Sequence, residues 1–274
     1  MAEVILADTA WPALPEPHVR FLRAAIPRLR EEPTLVGLVA GGSFVEGSMD
    51  AWSDLDLVVV ANPAAWPAIL DDRRRIAARL GPLLAAFTGE HVGEPRLLVC
   101  LSGPPLVHVD LKFVEPSALA QRVEEPVVLW DRSGAVRAGL AAGTASYPHP
   151  DLQWIEDRFW IWIHYTATKI GRGELLETCD ALAILRSKVL GPLALRVAGA
   201  RPSGVRRLET LAPRFAGAIQ ATVATCDSAD CARALRATIA VYRELRDAES
   251  SPSLRRNPEA AREAVAYFEA IASG

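Results

Sequence analysis

The feature that most constrains this sequence is a glycine turn between two short apolar runs, within residues 35–60 (LVGLVAGGSFVEGSMDAWSDLDLVVV). The first run, residues 35–40, is almost wholly apolar, which is typical of a buried strand. Residues 41–43, Gly-Gly-Ser, then give the backbone freedom to turn and expose a hydroxyl group. The segment therefore predicts a strand, a turn, a short polar stretch and a second strand.

Two aspartates open the second strand. Because side chains alternate along a strand, Asp54 and Asp56 are expected on one face. Leu55, Leu57 and Val59 take the other face, toward a core. Neighbouring carboxylates at the mouth of an apolar strand repel each other and are costly to desolvate. A divalent cation relieves both costs, and oxygen-only ligands suit magnesium, so the pair predicts a Mg²⁺ site.

A later strand offers a third carboxylate. Residues 95–101 and 106–114 have the pattern of two strands joined by a Ser-Gly-Pro-Pro turn. On the second of them Asp110 shares a polar face with His108 and Lys112. Asp110 is therefore the candidate third carboxylate, with a solvent-facing edge strand as the alternative. His108 is interpreted as a partner of that carboxylate or a surface histidine, rather than as a metal ligand.

The Gly42-Ser43 pair, followed after ten intervening residues by Asp54-x-Asp56, resembles the signature of the nucleotidyltransferase superfamily of the polymerase-beta type. The matching segment covers about a tenth of the chain. The resemblance implies that Gly42 and Ser43 bind a nucleoside triphosphate. It also implies that Asp54, Asp56 and Asp110 carry Mg²⁺ and the catalysis. Asp110 would share a metal or take the proton of the attacking hydroxyl.

Two rival metal or phosphate motifs do not fit this segment. An EF-hand loop needs oxygen ligands beyond Asp56, where only apolar residues follow. A Walker A loop needs a lysine that residues 42–48 lack. Asp50 is interpreted as a turn residue.

The sequence predicts an α+β fold, with a mixed-sheet nucleotidyltransferase domain at residues 1–145 and an all-helical bundle at 146–274. A stretch rich in Gly, Ala, Ser and Pro, residues 133–150, marks the boundary. Five segments of helical length follow the boundary. They span residues 151–171, 174–197, 205–226, 229–247 and 258–271.

Before the boundary, apolar spacing predicts helices over residues 17–30 and 62–87. Pro27 is expected to kink the first or end it early. In the second, the charged run at residues 71–75 is either a phosphate-binding patch or a solvated helix face. A short strand is expected at residues 127–130.

The two-domain layout also resembles the antibiotic nucleotidyltransferases of the aminoglycoside and lincosamide type. There the helical domain completes the cleft, with a basic residue on the triphosphate and acidic residues on a cationic acceptor. Lys169 is carried over to the phosphate role. Glu177 and Asp180 would face the acceptor, with a solvated acidic face as the alternative. The roles of these residues and of nearby Arg172 stay open. The closely spaced aromatic residues within 154–165 fit the buried stripe of a helix better than a surface that stacks on a base.

Composition narrows the class of protein further. The chain has 274 residues, a net charge of −3 and a pI near 6.0, which argues against a general nucleic-acid binder. The four cysteines form no CxxC pair and no zinc-type spacing. Neither a secretory signal nor a membrane-length apolar run is present. We expect a soluble cytoplasmic protein with reduced thiols and no membrane partner.

The expected function is Mg²⁺-dependent transfer of a nucleoside monophosphate, AMP from ATP, onto a hydroxyl of a small molecule. Both ATP and an antibiotic-type acceptor are implied by the resemblance. Two alternatives remain: a protein-modifying AMP transferase of the antitoxin type, and a catalytically inactive nucleotide-binding protein. The sequence leaves the acceptor, the preferred nucleotide and the number of subunits open.

Overall fold

The computed structural model describes residues 4–7, 10–249 and 253–273. The chain divides into two compact units, Met1–Tyr147 and Pro148–Gly274. We call them the sheet unit and the helical unit.

The strands of the described residues form one seven-stranded mixed sheet in the order β1-β7-β2-β3-β6-β5-β4. Its strands are β1 (Val4–Ile5), β2 (Leu35–Ala40), β3 (Leu55–Ala61), β4 (Leu83–Gly89), β5 (Glu94–Ser102), β6 (Val107–Val114) and β7 (Val127–Asp131). The helices of this unit are α1 (Glu16–Glu31), α2 (Ser43–Glu46), α3 (Ala68–Leu80) and α4 (Ala135–Ala141). With the helices of the second unit, this confirms the predicted α+β class.

The sheet is antiparallel except where β3 pairs with β6 in parallel. Every residue of β2 is buried, as its apolar run predicts. β6 lies between β3 and β5, so the alternative of an edge strand at Asp110 is wrong. The strand is interior because it pairs with β3 on one side and β5 on the other, and its odd-numbered residues, from Val107 to Phe113, join the main core of the unit.

The two faces of the sheet are covered differently. On one face, α1 and α3 pack their apolar stripes, including Leu22, Leu29 and Ile76, against the strands. On the other face a smaller cluster joins Val60 and Val114 to Leu119 and to Val136 of α4. Since side chains alternate, the even-numbered residues of β3 and β6, with Asp56 and Asp110 among them, lie on this second face.

The prediction of one helix over residues 62–87 is right only for Ala68–Leu80, since residues 63–65 form a separate 3-10 turn. Gly81 is fully extended and ends α3, and residues 83–89 form β4, which pairs with β5. The leucine spacing of this stretch fits a helix, but strand pairing decides its conformation. Pro27 does not end its helix early, because α1 continues to Glu31.

The charged run at residues 71–75 has local partners. Arg73 donates to the carbonyl of Pro95, and Arg74 donates to that of Ala86 at 2.8 Å. Arg75 pairs with Asp72 at 2.9 Å. Two of these arginines thus tie α3 to the neighbouring strands, which is a structural role.

The helical unit contains α5 (Leu152–Gly171), α6 (Leu175–Leu185), α7 (Gly191–Val197), α8 (Leu208–Leu211), α9 (Pro213–Gln220), α10 (Ser228–Ala248) and α11 (Pro258–Ala272). The expected helix over 174–197 is interrupted by a π-helical segment, Arg186–Leu190. The expected helix over 205–226 is two short helices that meet at Pro213, which has no N–H to continue the first. Asp227 and Asn257 cap α10 and α11 by accepting backbone N–H groups.

Part of the aromatic stripe of α5 forms the core of this unit. Phe159 stacks on Tyr242 of α10 with ring centroids 3.6 Å apart, and Trp160 packs against the same ring edge-on. Both α5 side chains are buried, whereas Trp154 and Tyr165 are exposed. Among the residues that the structure describes, none of the helices has the length and apolarity that crossing a membrane requires.

Candidate active site

The parallel pairing of β3 and β6 places two carboxylates side by side. In the register of this pair Asp56 lies opposite Asp110. Asp54, just before β3, projects to the same face because it is two residues from Asp56. Each of the three aspartates places one carboxylate oxygen within 4.8 Å of the other two. In the described part of the chain, these residues form a group that could hold a metal ion. We call these three residues the aspartate cluster.

The loop that carries Asp54 is fixed from two directions. The buried His18 of α1 donates from Nε2 to the carbonyl of Ser53 at 2.7 Å. Asp50 accepts the backbone N–H of Trp52 at 2.9 Å and the Ser53 hydroxyl at 3.0 Å, which is the bonding of a turn residue. His18 was not among the residues predicted for the site. Its signal is its position on the buried stripe of α1, one turn before Leu22.

The aspartate cluster is electrostatically strained. Burial raises the pKa of Asp110, and the Asp54 charge raises it further. His108 opposes this shift, since its Nε2 lies 3.0 Å from Asp110 Oδ1. A carboxyl group that is harder to ionise beside another carboxylate is the environment that a divalent cation stabilises.

The glycine turn and the aspartate cluster form one local structure. Gly42 has φ +57°, a conformation that favours glycine, and Gly41 donates its N–H to the Asp56 carbonyl at 2.9 Å. A methyl group on Gly42 would overlap Asp56 Oδ2. Glycine at position 42 therefore allows the turn to lie directly against the Asp56 carboxylate.

The structure adds Glu124 to the site. Its Oε1 accepts the backbone N–H of Gly42 at 2.6 Å, and a methyl group on Gly41 would crowd the same oxygen. Glu124 precedes β7, about 80 residues from the turn, so no local sequence pattern indicates this contact. A charged acceptor thus occupies a backbone donor that the resemblance assigns to phosphate.

Ser43 follows Gly42 at the first position of α2. Its hydroxyl is buried and has no hydrogen-bond partner within the described residues. Buried hydroxyl groups are normally paired, with water or ligand where protein offers no partner. This unsatisfied group adjoins the turn that faces the aspartate cluster.

The remaining candidates lie in the helical unit. Lys169 is 2.7 Å from Glu174 Oε2 and 3.0 Å from Glu177 Oε2, and hydrogen bonds to these carboxylates raise its pKa. Glu177 also accepts the hydroxyl of Tyr165, so it is not an unpartnered acidic group. Asp180 is exposed, and Arg172 lies 3.8 Å from Glu174.

Comparisons with known proteins add little to this geometry. No family model and no curated protein matches the sequence. The matching solved structures include an aminoglycoside 6-adenyltransferase from Bacillus subtilis. It is 12% identical and has a TM-score of 0.43 over 92% of this chain and 98% of that chain. Because identity and TM-score are both low, the functional proposal rests on the residues of this chain.

Proposed function

We propose that this chain is a Mg²⁺-dependent nucleotidyltransferase that moves a nucleoside monophosphate, AMP from ATP, onto a hydroxyl of a small molecule. The observation that carries the proposal is the aspartate cluster beside the Gly42-Ser43 turn. The motif relates these residues along the sequence, and the sheet register brings the carboxylates together. Three carboxylates that each place one oxygen within 4.8 Å of the others, with the pKa of Asp110 raised by burial, support a functional role.

The donor set fits magnesium. All three side chains offer oxygen, and their oxygens lie within 4.8 Å of one another. Oxygen ligands around Mg²⁺, at about 2.1 Å from the ion, are roughly 3 to 4 Å apart, so small side-chain movements suffice. Mg²⁺ held by Asp54, Asp56 and Asp110 would neutralise charge on the triphosphate as pyrophosphate leaves.

The other groups of the site bind and orient the substrates. Gly42 offers its N–H, and Ser43 its unsatisfied hydroxyl, to phosphate oxygens. The Glu124 carboxylate has to release the Gly42 N–H before a phosphate can accept it. As the alternative to its role as a metal ligand, Asp110, whose pKa is raised, can accept the proton of the attacking hydroxyl, with His108 holding the carboxyl group in place.

The proposal extends to the acceptor. An antibiotic-type acceptor, with Glu177 and Asp180 on its cationic groups, follows from the resemblance to aminoglycoside and lincosamide adenylyltransferases. Lys169, proposed as a further phosphate contact, would first have to leave Glu174 and Glu177. Its contribution to nucleotide binding is therefore expected to be small.

The deciding experiment measures pyrophosphate release with Mg²⁺ and each of the four NTPs, against a panel of aminoglycosides and lincosamides. The Asp54→Asn variant is run in parallel. Release that requires one acceptor and is lost in the variant supports the proposal and identifies the substrate class.

Other outcomes separate the alternatives. Nucleotide binding in calorimetry without release on the panel fits a protein-modifying enzyme or an inactive nucleotide-binding protein, and assays with protein acceptors then separate these two. Neither release nor binding contradicts the proposal and leaves a non-catalytic scaffold.

A further inference from the structure

Three of the four cysteines gather in the helical unit, although the sequence separates them. Cys179 lies in α6, Cys226 in the loop before α10, and Cys231 in the first turn of α10. The Sγ atoms of Cys179 and Cys226 are 3.8 Å apart across 47 positions of sequence. The fourth, Cys100, lies buried in the sheet unit.

The three thiols differ in access. Cys226 is exposed, Cys179 is partly buried, and Cys231 is fully buried with its thiol donating to the carbonyl of Thr225 at 3.3 Å. Burial raises the pKa of the Cys179 thiol to about 11. A reagent from solvent therefore meets Cys226 first, with Cys179 as the second thiol of the pair.

The loop that presents Cys226 is held in place by α10. Asp230 accepts the backbone N–H and the hydroxyl of Thr225 at 2.8 and 2.9 Å. Arg233 donates to the carbonyls of Ala221 and Val223 at 2.7 and 2.9 Å. These four contacts and the Asp227 cap of α10 fix the loop so that Cys226 lies opposite Cys179.

We propose that Cys179 and Cys226 are a redox modification site that closes into a reversible disulfide on exposure to a peroxide. A disulfide needs an S–S distance of about 2.05 Å, so the two sulfurs, now 3.8 Å apart, have to approach by less than about 2 Å. Side-chain rotation of the exposed Cys226 supplies such a movement.

The reaction is balanced with hydrogen peroxide as oxidant. The Cys226 thiolate attacks one peroxide oxygen, the O–O bond breaks, and the released hydroxide leaves as water after protonation. The Cys179 thiol then loses its proton as its sulfur attacks the Cys226 sulfenic acid, the S–O bond breaks, and a second water leaves. Two thiols are oxidised and one peroxide is reduced.

The bond would join α6 to the loop before α10. The closed loop contains α7, α8 and α9, so the disulfide restricts the unfolded chain over 47 positions. Oxidation is expected to raise the Tm of the protein by roughly 5 to 10 °C. A thiol reductant should reverse the rise.

The test treats the full-length reduced protein with a small excess of hydrogen peroxide, then counts thiols and maps peptides without reduction. We expect two thiols per chain to be lost, a Cys179–Cys226 peptide, and a rise in Tm that dithiothreitol reverses. Cys226→Ser and Cys179→Ser should each abolish the crosslinked peptide and the Tm rise. Cys231→Ser is the matched control and should retain both.

Circular dichroism of the reduced variants establishes that each is folded before oxidation. Oxidation of Cys226 to sulfinic acid without a crosslink would overturn the proposal. So would a crosslink that includes Cys231, or one that joins two chains.

Discussion

Each of the two units contains an acidic group that is partly or fully buried, and the pKa values of the two groups shift in opposite directions. In the sheet unit, burial and the Asp54 charge raise the pKa of Asp110. In the helical unit, Glu156 is more deeply buried, at 2% exposure, yet its pKa is lowered. Burial favours the neutral form in both places, so the difference lies in the neighbours.

Glu156 is surrounded by donors. It accepts the Tyr242 hydroxyl at 2.5 Å, the Trp160 indole N–H at 3.1 Å and the Asn257 backbone N–H at 3.3 Å. Arg246 adds a positive charge at 3.4 Å. These contacts outweigh the cost of burial, so the side chain links α5, α10 and the start of α11 as a satisfied network.

Asp110 has His108 at 3.0 Å, but it also has two further aspartates within the same small volume. In the helical unit the buried Glu156 carboxylate thus stabilises the fold, whereas in the sheet unit the aspartate cluster carries negative charge that a bound cation would balance. Groups that oppose the stability of a fold are typical of functional sites. The contrast locates the proposed chemistry in the sheet unit.

The largest expected effect comes from removing a carboxylate of the aspartate cluster. Asp56→Asn should lower kcat/KM for nucleotidyl transfer by about 10³-fold or more, because a charge proposed to hold Mg²⁺ is lost. The free energy of unfolding should stay the same or rise by about 1 kcal/mol, since repulsion between carboxylates is relieved. Pyrophosphate release and urea denaturation measure the two quantities.

Asp72→Asn, at the exposed ion pair with Arg75 in α3, is the control and should leave turnover unchanged. If Asp56→Asn keeps more than about a tenth of the wild-type turnover, the cluster does not serve catalysis as a metal site.

The next largest effect lies in the helical unit. Glu156→Gln should lower the free energy of unfolding by about 3 kcal/mol, because Arg246 loses its buried counter-charge and the donors around position 156 lose a charged acceptor. Chemical denaturation of the full chain gives the value. Glu263→Gln removes an exposed ion pair with Arg262 and should change it by less than about 0.5 kcal/mol.

A comparison of the wild type with Glu156→Gln also gives a pH test. The pKa of Glu156 is lowered in the folded protein, so its stabilisation is fully present above its ordinary value of 4.5 and is lost as pH falls below it. The stability of the wild type relative to Glu156→Gln should therefore shrink in acid. A difference that stays constant from pH 7 down to about 3 would contradict the lowered pKa.

Much of the sheet unit could be predicted because alternation is a local property. The two-residue period of β3 and β6 puts aspartates on one face, and the pattern also identified strands β5 and β7. That Asp56 and Asp110 are adjacent depends on strand order, which the motif alone does not contain. Their roles in metal binding remain a prediction.

The features that could not be predicted depend on contacts between residues far apart in the sequence. Leu83 and Leu84 of β4 continue the helical spacing of Ile76 and Leu80, and only the pairing of β4 with β5 makes it a strand. His18 and Glu124 reach the site from 35 and 82 positions away in sequence. Glutamate in a loop before a strand is ordinary by itself, so its hydrogen bond to the Gly42 N–H becomes evident only when the fold is known.

A smaller effect is expected at the glycine turn. Gly42→Ala should lower kcat/KM by about 100-fold, because the methyl group overlaps Asp56 Oδ2 and displaces that carboxylate. Gly47→Ala is a matched control, since Gly47 has φ +62° and open space around its Cβ position. Both variants should lose about 1 kcal/mol of stability from backbone strain. Equal activity in the two would show that the turn and the carboxylate are not coupled.

The smallest effect should come from Lys169, and it tests whether the helical unit contributes a phosphate contact. Lys169 is held by Glu174 and Glu177, so a triphosphate gains little from a charge that is already paired. Lys169→Ala should raise the KM for nucleotide by less than about threefold, with kcat unchanged, in steady-state kinetics at constant acceptor. Arg172→Ala, at an exposed neighbouring position, is the control. An increase of tenfold or more that Arg172→Ala does not reproduce would mean that Lys169 leaves its carboxylates to bind phosphate. The helical unit would then share in nucleotide binding, and the division of roles between the two units would fail at this residue.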